Sequence, residues 1–172
     1  VSANNDSYCE TAAAPTLTGL AGLQPGEAGT WSVPAGATNT VTSAGQTGAL
    51  QVGANRFIYT INSSTAVAPC NVDTALVTIN IEKQPDAADA GQPASTCALT
   101  YQLGATPVTN GTGAWTPANL VNSATSPTGT ATLAKNVATT FTWTVSNGAG
   151  AKCAEKTSTV TITQAGDITS AT

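Results

Sequence analysis

Bulky apolar residues recur at every second position in two stretches of the chain. In the first, Phe57, Tyr59 and Ile61 alternate with neighbours that include Thr60 and Asn62; after a loop carrying Cys70, the alternation resumes at Val77, Ile79 and Ile81. In the second, Phe141, Trp143 and Val145 alternate with threonines up to Ser146-Asn147-Gly148, and after Cys153 the alternation resumes at Val160 and Ile162. Successive side chains of a strand point to opposite faces, so each stretch predicts two half-buried antiparallel strands joined by a cysteine-bearing loop.

The two stretches belong to a longer duplication. Trp31 precedes Phe57, and Trp115 precedes Phe141, by the same 26 positions, while Cys70 to Ile79 and Cys153 to Ile162 both span nine. Within each half the remaining apolar residues form short runs between turn formers: Leu17 to Leu20, Thr30 to Val33 and two brief strands about Ala44-Gly45, then Leu99 to Leu103, Trp115 and Leu120 to Leu133. No stretch keeps a 3.6-residue apolar period, so helix is not expected. Val1 to Tyr8 reads as an edge strand or linker. Glu82 to Gly91, with Pro85 and three acidic residues, reads as a junction. The halves differ by five residues inserted after Cys9. These features predict an all-β chain of two tandem Greek-key β-sandwich domains, residues 1–83 and 84–172, with about seven strands each. The close at Gly166-Asp167 and a Thr-rich tail, with no Met at position 1, reads as an excerpt in which a third module has been cut away.

Composition narrows the function. Charged residues are 8% of the chain, against a usual ~25%. Five basic residues, Arg56, Lys83, Lys135, Lys152 and Lys156, face nine acidic ones and form no cluster, which argues against nucleic acid and anionic membranes. No apolar run reaches the ~18 residues a membrane helix requires. The chain has no His, so no Ser-His or Cys-His pair exists, and Glu10, Glu27 and Glu155 are scattered. No catalytic residue is assigned, and the chain is read as a non-enzyme.

The cysteines are two per half. Pairing within halves, Cys9 with Cys70 and Cys97 with Cys153, would give each small domain one internal disulfide closing about 60 residues, worth roughly 2–4 kcal/mol. Free or redox-active thiols are the alternative; a metal site lacks ligands. Paired cysteines point to an oxidising compartment. The order Cys, Trp, Cys is immunoglobulin-like in outline. Glu82, Asp86 and Asp89 lie within eight positions and are candidates for calcium, with a merely solubilising acidic junction as the other reading. Trp31, Trp115 and Trp143 fall inside strand patterns, which favours core packing over a carbohydrate platform. A binding role would reside in the insertion after Cys9 and the glycine-rich loop Gly26 to Gly29.

Ala87-Ala88-Asp89-Ala90-Gly91, Cys97, Pro107, Gly111-Thr112-Gly113-Ala114-Trp115, Phe141 to Gly148, Cys153 and Thr159 to Ile162 form one pattern. It resembles the PKD-like, immunoglobulin-like tandem repeats of very large Bacteroidetes surface proteins, including the mobile adhesins of gliding bacteria. The second half matches over nearly its whole length; the first departs, with Tyr59 in place of the Trp. The resemblance implies immunoglobulin-like sandwich modules that serve as a non-catalytic stalk of an outer-membrane-associated adhesin, exported by type IX secretion for attachment or gliding. The partners it implies are neighbouring repeats and surface glycans or polysaccharide, without cofactors. A carbohydrate- or protein-binding module accessory to a secreted enzyme is the alternative. Asp73-Thr74-Ala75 also resembles the short Bacteroidetes O-glycosylation motif, making Thr74 a modification candidate beside its plainer reading as the start of a strand.

Overall fold

The computed structural model describes residues 6–19 and 21–166. Val1 to Asn5, Leu20 and the tail from Asp167 therefore lie outside the described residues, and with them part of the expected first strand, the end of the Leu17 to Leu20 run and the Thr-rich close. The chain divides into two compact units, Val1–Lys83 and Gln84–Thr172.

The first unit holds β1 (Asp6–Cys9), β2 (Glu27–Ser32), β3 (Thr40–Val41), β4 (Thr47–Gly48), β5 (Gly53–Ser63) and β6 (Val72–Glu82). One sheet has the order β1-β6-β5-β2, and a small β3-β4 hairpin stands apart from it. The alternation read around Phe57 becomes β5 and β6, paired antiparallel from Gly53↔Ile81 to Asn62↔Val72. Their inward positions Phe57, Tyr59, Val77, Ile79 and Ile81 pack with Leu17 and Trp31 into a single core. The Leu17 run forms no named strand among the described residues; Thr16 makes an isolated bridge to Gln46.

The second unit repeats the plan with β7 (Ala94–Thr96), β8 (Thr100–Gln102), β9 (Thr112–Thr116), β10 (Thr130–Thr132), β11 (Ala138–Ser146) and β12 (Lys156–Gln164), plus a short 3-10 turn at Ala118–Leu120. The sheets are β7-β12-β11-β9 and β10-β8. Trp115, Phe141, Trp143, Val145, Val160 and Ile162 from the first sheet bury against Leu103, Ala131 and Leu133, so the two sheets enclose one core. The chain is all-β, with six named strands rather than seven among the described residues of each unit.

A glycine and two aromatics form the centre of each core. Trp115 of β9 lies opposite Trp143 of β11, with ring centroids 5.0 Å apart at 49°. Trp31 of β2 lies opposite Tyr59 of β5, at 4.7 Å and 43°. The second ring of each pair lies over a glycine two positions before the first. A Cβ at Gly113 would fall on the Trp143 ring, and one at Gly29 on the Tyr59 ring. Trp115 also donates from Nε1 to the Ser126 carbonyl at 3.0 Å and meets Phe141 edge-on. All three tryptophans are buried, as core packing requires. Gly29 thus lies within β2, beneath an aromatic ring, and does not belong to an exposed loop.

The disulfide expectation requires correction. Cys9 and Cys153 are the disulfide-bonded cysteines, whereas Cys70 and Cys97 carry free, exposed thiols. The cause is the direction of the edge strands. β1 runs parallel to β6, so Cys9 lies beside Glu82 at the end of β6, while Cys70 precedes the start of that strand at Val72. Ten residue steps at ~3.3 Å put those ends about 33 Å apart, whereas a disulfide needs Cα atoms within ~7 Å. β7 likewise runs parallel to β12, with Thr96 opposite Gln164, so Cys97 and Cys153 flank opposite ends of β12, roughly 26 Å long. Neither internal bridge is possible in this topology.

Candidate functional site

The acidic junction resolves into the opening segment of the second unit. Asp86 returns to the loop before β9: its Oδ2 accepts hydrogen bonds from the Thr109 amide at 2.7 Å, the Asn110 amide at 2.9 Å and the Thr109 hydroxyl at 3.0 Å. Its own amide donates to the Asn110 carbonyl at 3.0 Å. Asp89 accepts from the Gly91 amide at 2.9 Å and the Thr106 hydroxyl at 3.0 Å. Glu82 closes β6 in the other unit. Among the described residues no group of three or more His, Cys, Asp or Glu is placed to hold a metal ion. The two aspartates satisfy loop donors that the strand ladders do not reach.

These contacts have measurable consequences. The Gly91 amide, and after it the Thr106 hydroxyl, hold the Asp89 carboxyl below the usual aspartate range. A depressed folded-state pKa contributes stability above the unfolded value, near 3.9, and that contribution is lost as pH falls through the folded value. Thermal melts between pH 6 and pH 2 should show this loss in the wild type, and Asp89→Asn should flatten it. Asp86→Ala removes an ionised acceptor of three hydrogen bonds, and we expect about 1–3 kcal/mol of lost stability by urea unfolding. Asp86→Asn, which keeps an acceptor oxygen, should cost less.

The insertion after Cys9 lines an open cleft of about 390 Å³ in the first unit. Glu10 and Ala12 to Pro15 form one wall, and Leu50 and Gln51 another, with Tyr8 and Ile81 also lining it. Burial, followed by the nearby Asp6 carboxylate, raises the Tyr8 phenol above its ordinary value, and its hydroxyl donates to Asp6 Oδ2 at 3.3 Å. Ala12 to Pro15, Gly48 and Ala49 supply small groups to the walls, and Glu10, Gln51 and Tyr8 supply polar side chains. Thr74 is exposed on β6 opposite Thr60, and its amide is held by the Asp73 carboxylate at 2.8 Å.

Buried amides are the polar feature that sequence reasoning missed. Gln164, almost fully buried, donates to the Cys97 carbonyl at 2.9 Å and accepts from the Asn136 amide at 2.6 Å. Asn55 donates to the Gln51 and Gly53 carbonyls and accepts from the Gln51 amide. Both tie loops to sheet ends, and a Gln or Asn on the inward phase of a strand is the only sequence signal of that role.

No protein-family model matches the chain, and no curated protein sequence matches it. Solved structures similar in fold include three domains of mouse cadherin-23 (EC22-24; 14% identity, 94% of this chain and 62% of that one, TM-score 0.40). Drosophila N-cadherin EC1-4 aligns at 13% identity over 95% of this chain and 49% of that one, with TM-score 0.38. The titin domains I67-I69 align at 13% over 86% and 57%, with TM-score 0.41. The chain thus spans less than two thirds of the length of each. With identities this low and TM-scores below 0.5, strand order and core residues, not likeness, carry the fold description. Among the described residues no helix is long and apolar enough to cross a membrane.

Proposed function

We propose that this chain is a non-catalytic structural segment of a large cell-surface adhesin. It comprises two tandem immunoglobulin-like modules, residues 1–83 and 84–172, that act as stalk or spacer between more specialised parts. The observation that supports this most is architectural repetition: the sheets β1-β6-β5-β2 and β7-β12-β11-β9 have the same strand order with the same parallel edge. The glycine-aromatic centre recurs at equivalent positions in both. Neighbouring repeats are then the natural partners. In the resemblance to gliding-type adhesin repeats, the parent protein is a type IX secreted, outer-membrane-associated surface protein engaged in attachment or motility.

A binding role, including one accessory to a secreted enzyme, has one specific observation in its favour, the cleft built by the insertion in the first unit alone. A glycan array and a cell-attachment competition with the full chain separate the two readings. The spacer reading expects no reproducible glycan binding and no competition. Saturable binding that is lost when Gln51 and Tyr8 are replaced would overturn it in favour of a glycan or protein ligand seated in the cleft.

A further inference from the structure

The chain holds two Asn-Gly dipeptides, Asn110-Gly111 before β9 and Asn147-Gly148 after β11. Such a pair can react with itself, because glycine has no Cβ to crowd its amide nitrogen as that nitrogen approaches the side-chain carbonyl carbon of the preceding asparagine. Both glycines sit in the left-handed region, at φ 96° and 98°, so backbone conformation does not distinguish the two sites. Their surroundings do. Asn110 is half-buried and held at three points. Its Nδ2 donates to the Gln84 carbonyl, its amide donates to the Asp86 carboxylate at 2.9 Å, and its carbonyl accepts from the Asp86 amide at 3.0 Å. A Cβ on Gly111 would lie 3.0 Å from the Ser146 carbonyl oxygen and 3.2 Å from both Pro85 and Val145. Asn147, Gly148, Ala149 and Gly150 are all exposed, and a Cβ on Gly148 would meet no atom within 4 Å. The contacts of Asn147 are made from an exposed side chain, where water competes for them.

We propose that Asn147-Gly148 is a self-modifying site, where Asn147 is converted through a cyclic imide into isoaspartyl and aspartyl forms, while the fold holds Asn110-Gly111 unreactive. The Gly148 amide nitrogen gives its proton to hydroxide and bonds to the side-chain carbonyl carbon of Asn147. The bond from that carbon to the side-chain nitrogen then breaks, and ammonia leaves after taking a proton from water. Water next adds to either carbonyl of the imide. Opening at the side-chain carbonyl restores the main chain with a carboxylate in place of the amide; opening at the main-chain carbonyl leaves the chain running through the side chain, longer by one carbon. In sum one water is taken up and one ammonia released. The ladder of β11 and β12 ends at Val145↔Lys156, so the new carboxylate and the added backbone carbon both fall in the loop beyond it. At Asn110 the same step must first release the Nδ2 hydrogen bond and turn the peptide away from Asp86, and each charge-assisted bond released slows a step about tenfold or more.

The test follows both dipeptides in one molecule. The full chain is incubated in mildly alkaline buffer with reductant, natively and in urea, then digested with trypsin under mildly acidic conditions. Cleavage after Lys83, Lys135 and Lys152 delivers the two sites in separate peptides, 84–135 and 136–152. In the native chain the 136–152 peptide should gain the mass of oxygen for NH at Asn147, split between two chromatographic forms, with Asn110 slower by about tenfold or more. In urea the two sites should react at similar rates. Native Asn147 reacting no faster than native Asn110, or a gap between them that persists in urea, would overturn the proposal. Asp86→Ala should speed Asn110 toward its rate in urea and leave Asn147 unchanged. An Asn110 rate unmoved by that substitution would overturn the holding role given to Asp86, and the wild-type comparison stands even if the variant unfolds.

Discussion

Trp115→Ala should destabilise the second unit by about 3–5 kcal/mol, the usual cost of truncating a buried Trp or Phe. The ring is almost wholly enclosed, packs tilted against Trp143 and edge-on against Phe141, and holds the Ser126 carbonyl through Nε1. Truncation removes the apolar area, opens a cavity between the two sheets and leaves the carbonyl without its donor. A domain of this size has about 5–15 kcal/mol of total stability, so the loss is a large share of it. Urea unfolding followed by far-ultraviolet circular dichroism gives the value. A loss under about 1 kcal/mol would mean that the ring is peripheral to the core. Trp115→Phe, which retains most of the packing but not the donor, should fall between.

Gly113→Ala should be nearly as damaging although it adds a single methyl group. Gly113 is buried on β9 with ordinary extended backbone, so the penalty is steric and not conformational. The new Cβ would occupy the place of the Trp143 ring, which is itself buried against Trp115. Overpacking of a tight core typically costs about 1–3 kcal/mol, and here the displaced group is the largest side chain available. Gly29→Ala meets the Tyr59 ring in the same way. The pair Gly113→Ala with Trp143→Ala offers a check by double-mutant cycle. If the clash is the cause, the glycine substitution should cost much less once the indole is gone.

The strands most readable from sequence were those with long alternating runs. β5, β6, β11 and β12 each bury three or more inward positions, and such runs leave one consistent choice of face and register. The short edge strands gave no such signal. Asp6–Cys9 and Ala94–Thr96 are brief and mostly polar, and nothing local distinguishes a parallel from an antiparallel partner. The stretch of β6 that β1 joins decided the cysteine chemistry: β1 pairs with Ile79 to Glu82 and ends beside Glu82, ten residues from Val72 and its loop. The roles of Asp86 and Asp89 had no local signal either, because they find partners about twenty positions away at Thr106, Thr109 and Asn110. Gly29 reads as loop in sequence because its strand role depends on a ring contributed by another strand. The aromatic core was legible at Trp31, Trp115 and Trp143 because all three sat on alternating phases that only a buried face satisfies.

If the chain consists of two self-contained modules, Trp115→Ala should disturb one of them and leave the other alone. The full chain, kept in reductant, is unfolded in urea in wild-type and W115A forms. Two modules predict that the variant splits the transition: one step moves to lower urea by the equivalent of about 3–5 kcal/mol, while the other stays where the wild type has it. A single cooperative step that shifts as a whole in W115A would mean that the two halves fold as one unit.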